Sequence, residues 1–166
     1  DSFDGYNGSL ERYDWTVKGK SPRLIVANAY KALNTSYKDF LQAGHINQDV
    51  VRYELRRVWE IEANLRPATR HVYARRLMYL DEDSWQLTGS ALYDGRGEIW
   101  RVQEIHQVQA YQVPLCGYNA QLDYDVIAGR YLASGMQNEE PQINFFADEL
   151  NGDRYTPSAI RQLGAR

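Results

Sequence analysis

Five successive segments between Tyr53 and Ala128 place apolar side chains on every second residue, with short breaks between them. Residues 53–66 carry Leu55, Trp59, Ile61, Ala63 and Leu65 on odd positions, and residues 69–80 carry Val72, Ala74, Met78 and Leu80 on even ones. Residues 85–93 return to odd positions with Trp85, Leu87, Gly89, Ala91 and Tyr93. Residues 98–112 use even positions (Trp100, Val102, Val108, Ala110), as do residues 120–128 (Ala120, Leu122, Tyr124, Val126, Ala128). Alternation of this kind belongs to strands with one apolar face. The breaks are Pro67-Ala68, Asp81–Ser84, the Asp94-Gly95-Arg96-Gly97 sequence and a Pro/Gly loop from Pro114 to Asn119. Such short connections join antiparallel neighbours.

Tight turns at these breaks predict registers. Trp59 should oppose Arg76, and Ile61 should oppose Ala74. Met78 should oppose Leu87, Arg76 should oppose Gly89, and Ala91 should oppose Trp100. Leu87 should oppose Glu104, and Val108 should oppose Tyr124. Opposed residues share a face, so all five strands keep their apolar side chains together. The other face mixes Glu60, Glu62, Gln103 and Asp123 with Tyr73, Leu77, Tyr79 and Ile105. Outside this sheet, residues 1–9 read as a polar loop and residues 11–17 as a short strand. Residues 29–43 can hold a short helix, interrupted by Asn34-Thr35-Ser36. Residues 134–154 read as a long loop with a short element around Ile143–Phe146, and Pro157–Leu163 as one or two helical turns.

The chain's 166 residues suffice for one domain, 1–166, with its core at 52–128. A net charge of −3 gives no sign of nucleic-acid binding. Cys116 is the only cysteine, so an internal disulfide is excluded. No apolar run reaches membrane-spanning length. The chain starts at Asp1 with neither Met nor a leader pattern, which reads as a processed chain or a piece of a longer one.

Four residues break the apolar face: Arg57, Arg76, Glu104 and His106. Charges there must be paired or wet. Arg76, opposite Gly89, has room to reach Glu104 or to lie over Trp59. Both a structural ion pair and a polar anchor in an apolar cavity fit these residues. Glu104 and His106 share a face as an acid/base pair would, but no nucleophile motif stands beside them. His45, His71 and His106 lack metal-ligand spacing, so no metal or cofactor is expected. Asp94–Gly97 lacks the strand–loop–helix context of a phosphate site and reads as a hairpin turn.

Three long stretches, RYELRRVWEIEANL (52–65), RHVYARRLMYLDEDSWQL (70–87) and YDGRGEIWRVQE (93–104), resemble the proteobacterial family known as domain of unknown function 1329. LERYDW (10–15) and YTPSAIRQLG (155–164) are similar to it as well. The resemblance spans nearly the whole chain. Arg56 stands where the family pattern suggests His. Family members resemble lipoprotein carriers of the LolA/LolB type. The resemblance therefore implies a mainly β protein, a curved antiparallel meander forming an unclosed half-barrel with little helix. It also implies the C-terminal portion of a longer, exported protein in the periplasm or Gram-negative envelope.

The expected function is that of a non-enzymatic carrier holding a lipid, a lipoprotein acyl chain or another hydrophobic small molecule against the concave sheet. Its wall would comprise Trp59, Met78, Leu80, Leu87, Trp100, Val102 and Tyr124, with Arg57, Arg76, Glu104 and His106 as polar contacts. Envelope or outer-membrane transport proteins would be its partners. Alternatively, the apolar face packs on a missing segment or on a second copy in a homodimer. An enzyme using Glu104 and His106 is the third reading.

Overall fold

The structure is a computed structural model that describes residues 1–141 and 152–164. Seven antiparallel strands form one sheet in chain order: β1 (Tyr13–Val26), β2 (Tyr53–Leu65), β3 (Arg75–Asp81), β4 (Leu87–Tyr93), β5 (Ile99–Ala110), β6 (Leu115–Asp125) and β7 (Arg130–Ser134). The sheet does not close: β1 and β7 are its edges. It curls strongly, because β1 comes into contact with β4 and β5 although β2 and β3 lie between them. The curl encloses one face of the sheet, the inner face.

β1 runs well past the expected 11–17. Its middle, Lys18–Arg23, is polar, and two local features explain how it remains a strand. The register shifts between Val17 and Gly19, where Gly19 takes φ +119°. Pro22 lacks an N–H, which an edge strand tolerates. Between β1 and β2 lie two one-turn helices, α1 (Tyr30–Leu33) and α2 (Tyr37–Phe40). Asn34–Ser36 separates them as expected, and Ser36 caps α2 by accepting from Asp39 N–H at 3.2 Å. These helices drop Ala32 and Phe40, with Val26, Ala29 and Ile46, onto Leu122 of β6 to form the inner core. The helix α3 (Pro157–Leu163) matches its expectation; the element expected around residues 143–146 lies outside the described residues.

The meander is as expected, but its registers differ. β2 pairs with β3 as Ile61↔Met78 and Ala63↔Arg76, a slip of four residues that keeps the same sides together. The cause is a loop at 66–74 in place of a two-residue turn, although Pro67-Ala68 does make a tight turn within it, closed by Thr69 N–H to the Arg66 carbonyl at 3.2 Å. β3 pairs with β4 as Arg76↔Leu92 and Met78↔Ser90, three residues from the expected register. An odd slip sends side chains to opposite faces. Arg76 therefore faces Leu92, not Gly89. β4 and β5 pair as Gly89↔Glu104 and Ala91↔Val102, with sides as expected. On β6, Val102 rather than Val108 opposes Tyr124. β6 starts at Leu115, inside the segment expected as a loop, and β7 was not anticipated.

The apolar alternation thus divides between two faces at the β3–β4 hairpin. The outer face buries Tyr13, Ala63, Arg76, Met78, Leu92, Gln103 and Ile105. Residues 1–9 run across it: Gly5 N–H donates to Gln121 Oε1 at 2.9 Å, and Tyr6 packs edge-on to Trp15 at 5.4 Å.

Candidate functional site

Four of the expected site residues meet on the inner face: Val102, Glu104 and His106 from β5, and Tyr124 opposite Val102 on β6. Alternation on β5 aims the first three to the same side. His106 Nε2 lies 2.7 Å from Glu104 Oε1. The imidazole is fully buried against the Phe40 ring, 5.9 Å away, and its Nδ1 has no hydrogen-bond partner. Tyr53 Oη, from the start of β2, shares its one proton between the two Glu104 oxygens, 3.1 and 3.2 Å away. Burial pushes the Tyr53 phenol well above its usual range, and the neighbouring Glu104 carboxylate adds to it. Tyr124 is raised in the same way, first by burial and then by Glu104.

Glu104 sits in the wall of a cavity of 350 Å³ between the end of β1 and the middle of β4 and β5. Leu24, Val26, Tyr53, Tyr79, Ala91 and Val102 supply half of the rest of the wall, and Arg23, Thr88, Ser90 and Gln103 give it a polar part. The curl creates this space by bringing residues 23–26 over strands that are distant in sheet order. Arg23, at the rim, donates to Glu60 at 2.6 Å and is thereby held off Glu104. Only Val102 and Glu104 of this wall were expected from sequence. Alternation puts Tyr79 and Ala91 on opposite faces, and the wall from β1, Arg23–Val26, lies beyond the strand expected at 11–17.

The seven other expected residues lie elsewhere. Arg57, Trp59, Arg76, Met78, Leu80 and Leu87 belong to the outer side of β2, β3 and β4. Arg57 is bound to Glu82 at the sheet's margin. Trp59 stacks on Trp85 at 6.2 Å, with Lys20 Nζ 4.3 Å from its centroid; Arg76 is not its cation. Leu87 packs beneath Gly5, where an added Cβ would come within 2.1 Å of it. Trp100 lies beside the bulge between Leu92 and Tyr93, with its ring 5.7 Å from Tyr73 and its N–H donating to Asp125.

Arg76 and Glu104 therefore do not pair. Arg76 is fully buried, donates to Asp1 Oδ2 at 2.8 Å and lies among the rings of Tyr6, Tyr13 and Tyr73. Nearby, His71 accepts the Tyr73 backbone N–H on Nδ1 at 3.0 Å. Nε2 must then carry the proton that it presents to Asp1 at 2.7 Å. Burial holds the His71 pKa below its usual value, assisted by Arg76 and Arg12. Cys116 keeps company with Gln86 and Gln107 rather than His106, and burial raises its thiol pKa. Among the described residues no three His, Cys, Asp or Glu side chains converge as metal ligands, and no helix is long and apolar enough to cross a membrane.

The family model for a protein of unknown function, DUF1329, matches residues 1–161. An uncharacterized protein of Pseudomonas aeruginosa is 48% identical over 168 residues, which cover 100% of this chain and 37% of that relative. This chain thus spans little more than a third of its relative's length. Two solved structures share the fold at a TM-score of 0.50 and 10% identity over 93% of this chain. One is a domain from Vibrio parahaemolyticus named for outer membrane lipoprotein sorting, of which 51% is covered. The other is a DUF1329 family protein from Desulfovibrio piger, of which 50% is covered.

Proposed function

The chain belongs to the DUF1329 family, and from that premise we propose that it is a non-enzymatic binding or carrier module of the Gram-negative envelope. It holds a lipid, an acyl chain or a similar hydrophobe on the inner face of its curled sheet. The observation that carries this reading is the cavity between β1 and β4–β5, where apolar residues share the wall with the Glu104 carboxylate and with Arg23, Thr88, Ser90 and Gln103. Ligand sites commonly combine apolar walls with a few placed polar groups. The neighbour named for lipoprotein sorting supports the same reading through its shared fold.

Binding is by burial: each CH₂ removed from water contributes about 0.8 kcal/mol. Val102, Ala91 and Leu24 provide the apolar contact, while Glu104, fixed by His106 and Tyr53, orients a polar group. Release requires an acceptor offering equal burial. Glu104 and His106 act here as positioning groups. Envelope localisation, and transport proteins as partners, follow from this same reading.

A second reading has its own support. Leu24 and Leu55 oppose each other on β1 and β2 and are 69% and 71% exposed. An apolar pair of that kind also suits packing against another segment or a second copy.

Fluorescence titration with N-phenyl-1-naphthylamine, a neutral hydrophobe, tests the first reading. Leu24→Asp places a charge at the cavity wall on a position exposed enough to spare the fold. It is expected to weaken probe binding about tenfold or more. Saturable binding that is unchanged by Leu24→Asp would refute this cavity as the site.

A further inference from the structure

The described wall of the cavity beside Glu104 holds two charged residues, Arg23 and Glu104, and their surroundings differ. Arg23 is matched: its Nη2 and Nε donate to Glu60 Oε1 at 2.6 and 3.0 Å. Glu104 has no such counter-ion. Among the described residues its side-chain partners are His106 and Tyr53. His106 Nδ1 is buried with no hydrogen-bond partner, so a proton there would be an unpaired donor. The ring therefore carries a single proton, on Nε2, which faces Glu104 Oε1 at 2.7 Å. Neither partner cancels the negative charge.

Glu104 also has room for another donor. A carboxylate offers about four lone-pair sites, and His106 and Tyr53 bring one proton each. Its side chain is 22% exposed and stands in the cavity wall, within reach of a ligand. The ring of Tyr53 stands in the same wall, and aromatic faces attract cations. The field of Glu104 reaches Tyr53 and Tyr124, where it adds to burial in raising both phenols. An anionic head is repelled here. A hydroxyl donates to the carboxylate but leaves its charge unmatched. An ammonium both donates and cancels the charge. Partial exposure lets such a head keep some of its water, which limits the desolvation cost.

We propose that the Glu104 cavity selects amphiphiles with a primary ammonium head, the head hydrogen-bonded to Glu104 and the chain lying against Leu24, Ala91 and Val102. This selectivity rests on the carrier reading of the same site and gives its ligand a chemical class.

The test is isothermal titration of the whole chain with decylamine, decanol and decanoate, which share one chain length and differ in head charge. Decylamine is expected to bind about tenfold more tightly than decanol, with decanoate the weakest of the three. Glu104→Gln keeps an oxygen that accepts from His106 and Tyr53 and removes the charge. It is expected to bring decylamine down to the level of decanol. Should that variant not fold, the advantage of decylamine over decanol is followed in the wild type as NaCl is added, and a charge pair requires it to shrink. Equal binding of decylamine and decanol, tighter binding of decanoate, or an advantage that survives Glu104→Gln or ignores salt would overturn the selectivity and leave the carrier reading standing. No binding by any of the three overturns it as well, and failure of N-phenyl-1-naphthylamine to bind would sink the carrier reading with it.

Discussion

Tyr53 and Glu104 are joined by hydrogen bonds of 3.1 and 3.2 Å that tie the start of β2 to the middle of β5 across the inner face. No ladder hydrogen bond links those strands, so this contact helps to hold the curl. Tyr53→Phe should lower stability by about 1–2 kcal/mol, the range for a hydrogen bond to a charged group that is partly wet. Urea denaturation measures this. The same variant should speed probe dissociation, because Glu104 loses one of its two anchors. An unchanged midpoint would mean that the curl does not depend on this contact.

His71 sets a pH dependence. Its folded pKa is lowered, so the unfolded chain takes up the proton first. Its contribution to stability is therefore complete above the ordinary histidine pKa of about 6.5 and declines as pH falls below it. Thermal melts from pH 7.5 to 5 should show a decline that His71→Gln flattens. A wild-type Tm that rises over that interval would contradict the neutral imidazole deduced from the Tyr73 and Asp1 contacts.

Arg76 tests the outer face. It is fully buried with Asp1 and three tyrosine rings as its surroundings. Arg76→Ala should cost about 3–5 kcal/mol, as breaking a buried pair does. Arg76→Lys keeps the charge but not the planar donors, and should recover only part of that loss. A cost below about 1 kcal/mol for Arg76→Ala, measured by urea denaturation, would show that the first residues do not rely on this cation.

Ala68 offers a gain. It occupies φ +68° at the third position of the Arg66–Thr69 turn, behind Pro67. That position favours glycine. Ala68→Gly should raise stability by up to about 1 kcal/mol, offset in part by the greater freedom of the unfolded chain. A shift of the urea midpoint to higher concentration is the expected result.

The meander was legible because period-2 alternation and turn residues are local signals. The face assignment was not, because it depends on turn length. Asp81–Gln86 makes a longer turn than a tight hairpin, with Trp85 at φ +60° and a bulge between Tyr79 and Leu80. That odd slip carried Arg76 and Glu104, which alternation had placed together, to opposite faces. Lys18–Arg23 hid the middle of β1, because an edge strand in a curled sheet can remain polar. Val102, Glu104, His106 and Tyr124 survived as a group since they lie on two adjacent strands whose parity was read correctly. Tyr53 was missed: it acts across the curl and carries no periodic signal.

Native mass spectrometry of the chain purified from cells without detergent, followed by solvent extraction, decides whether the curled sheet carries a hydrophobe. A discrete added mass that extracts into organic solvent and is lost in Leu24→Asp is the expected result. A bare dimer, or a bare monomer that also fails to take up added hydrophobe, would contradict it.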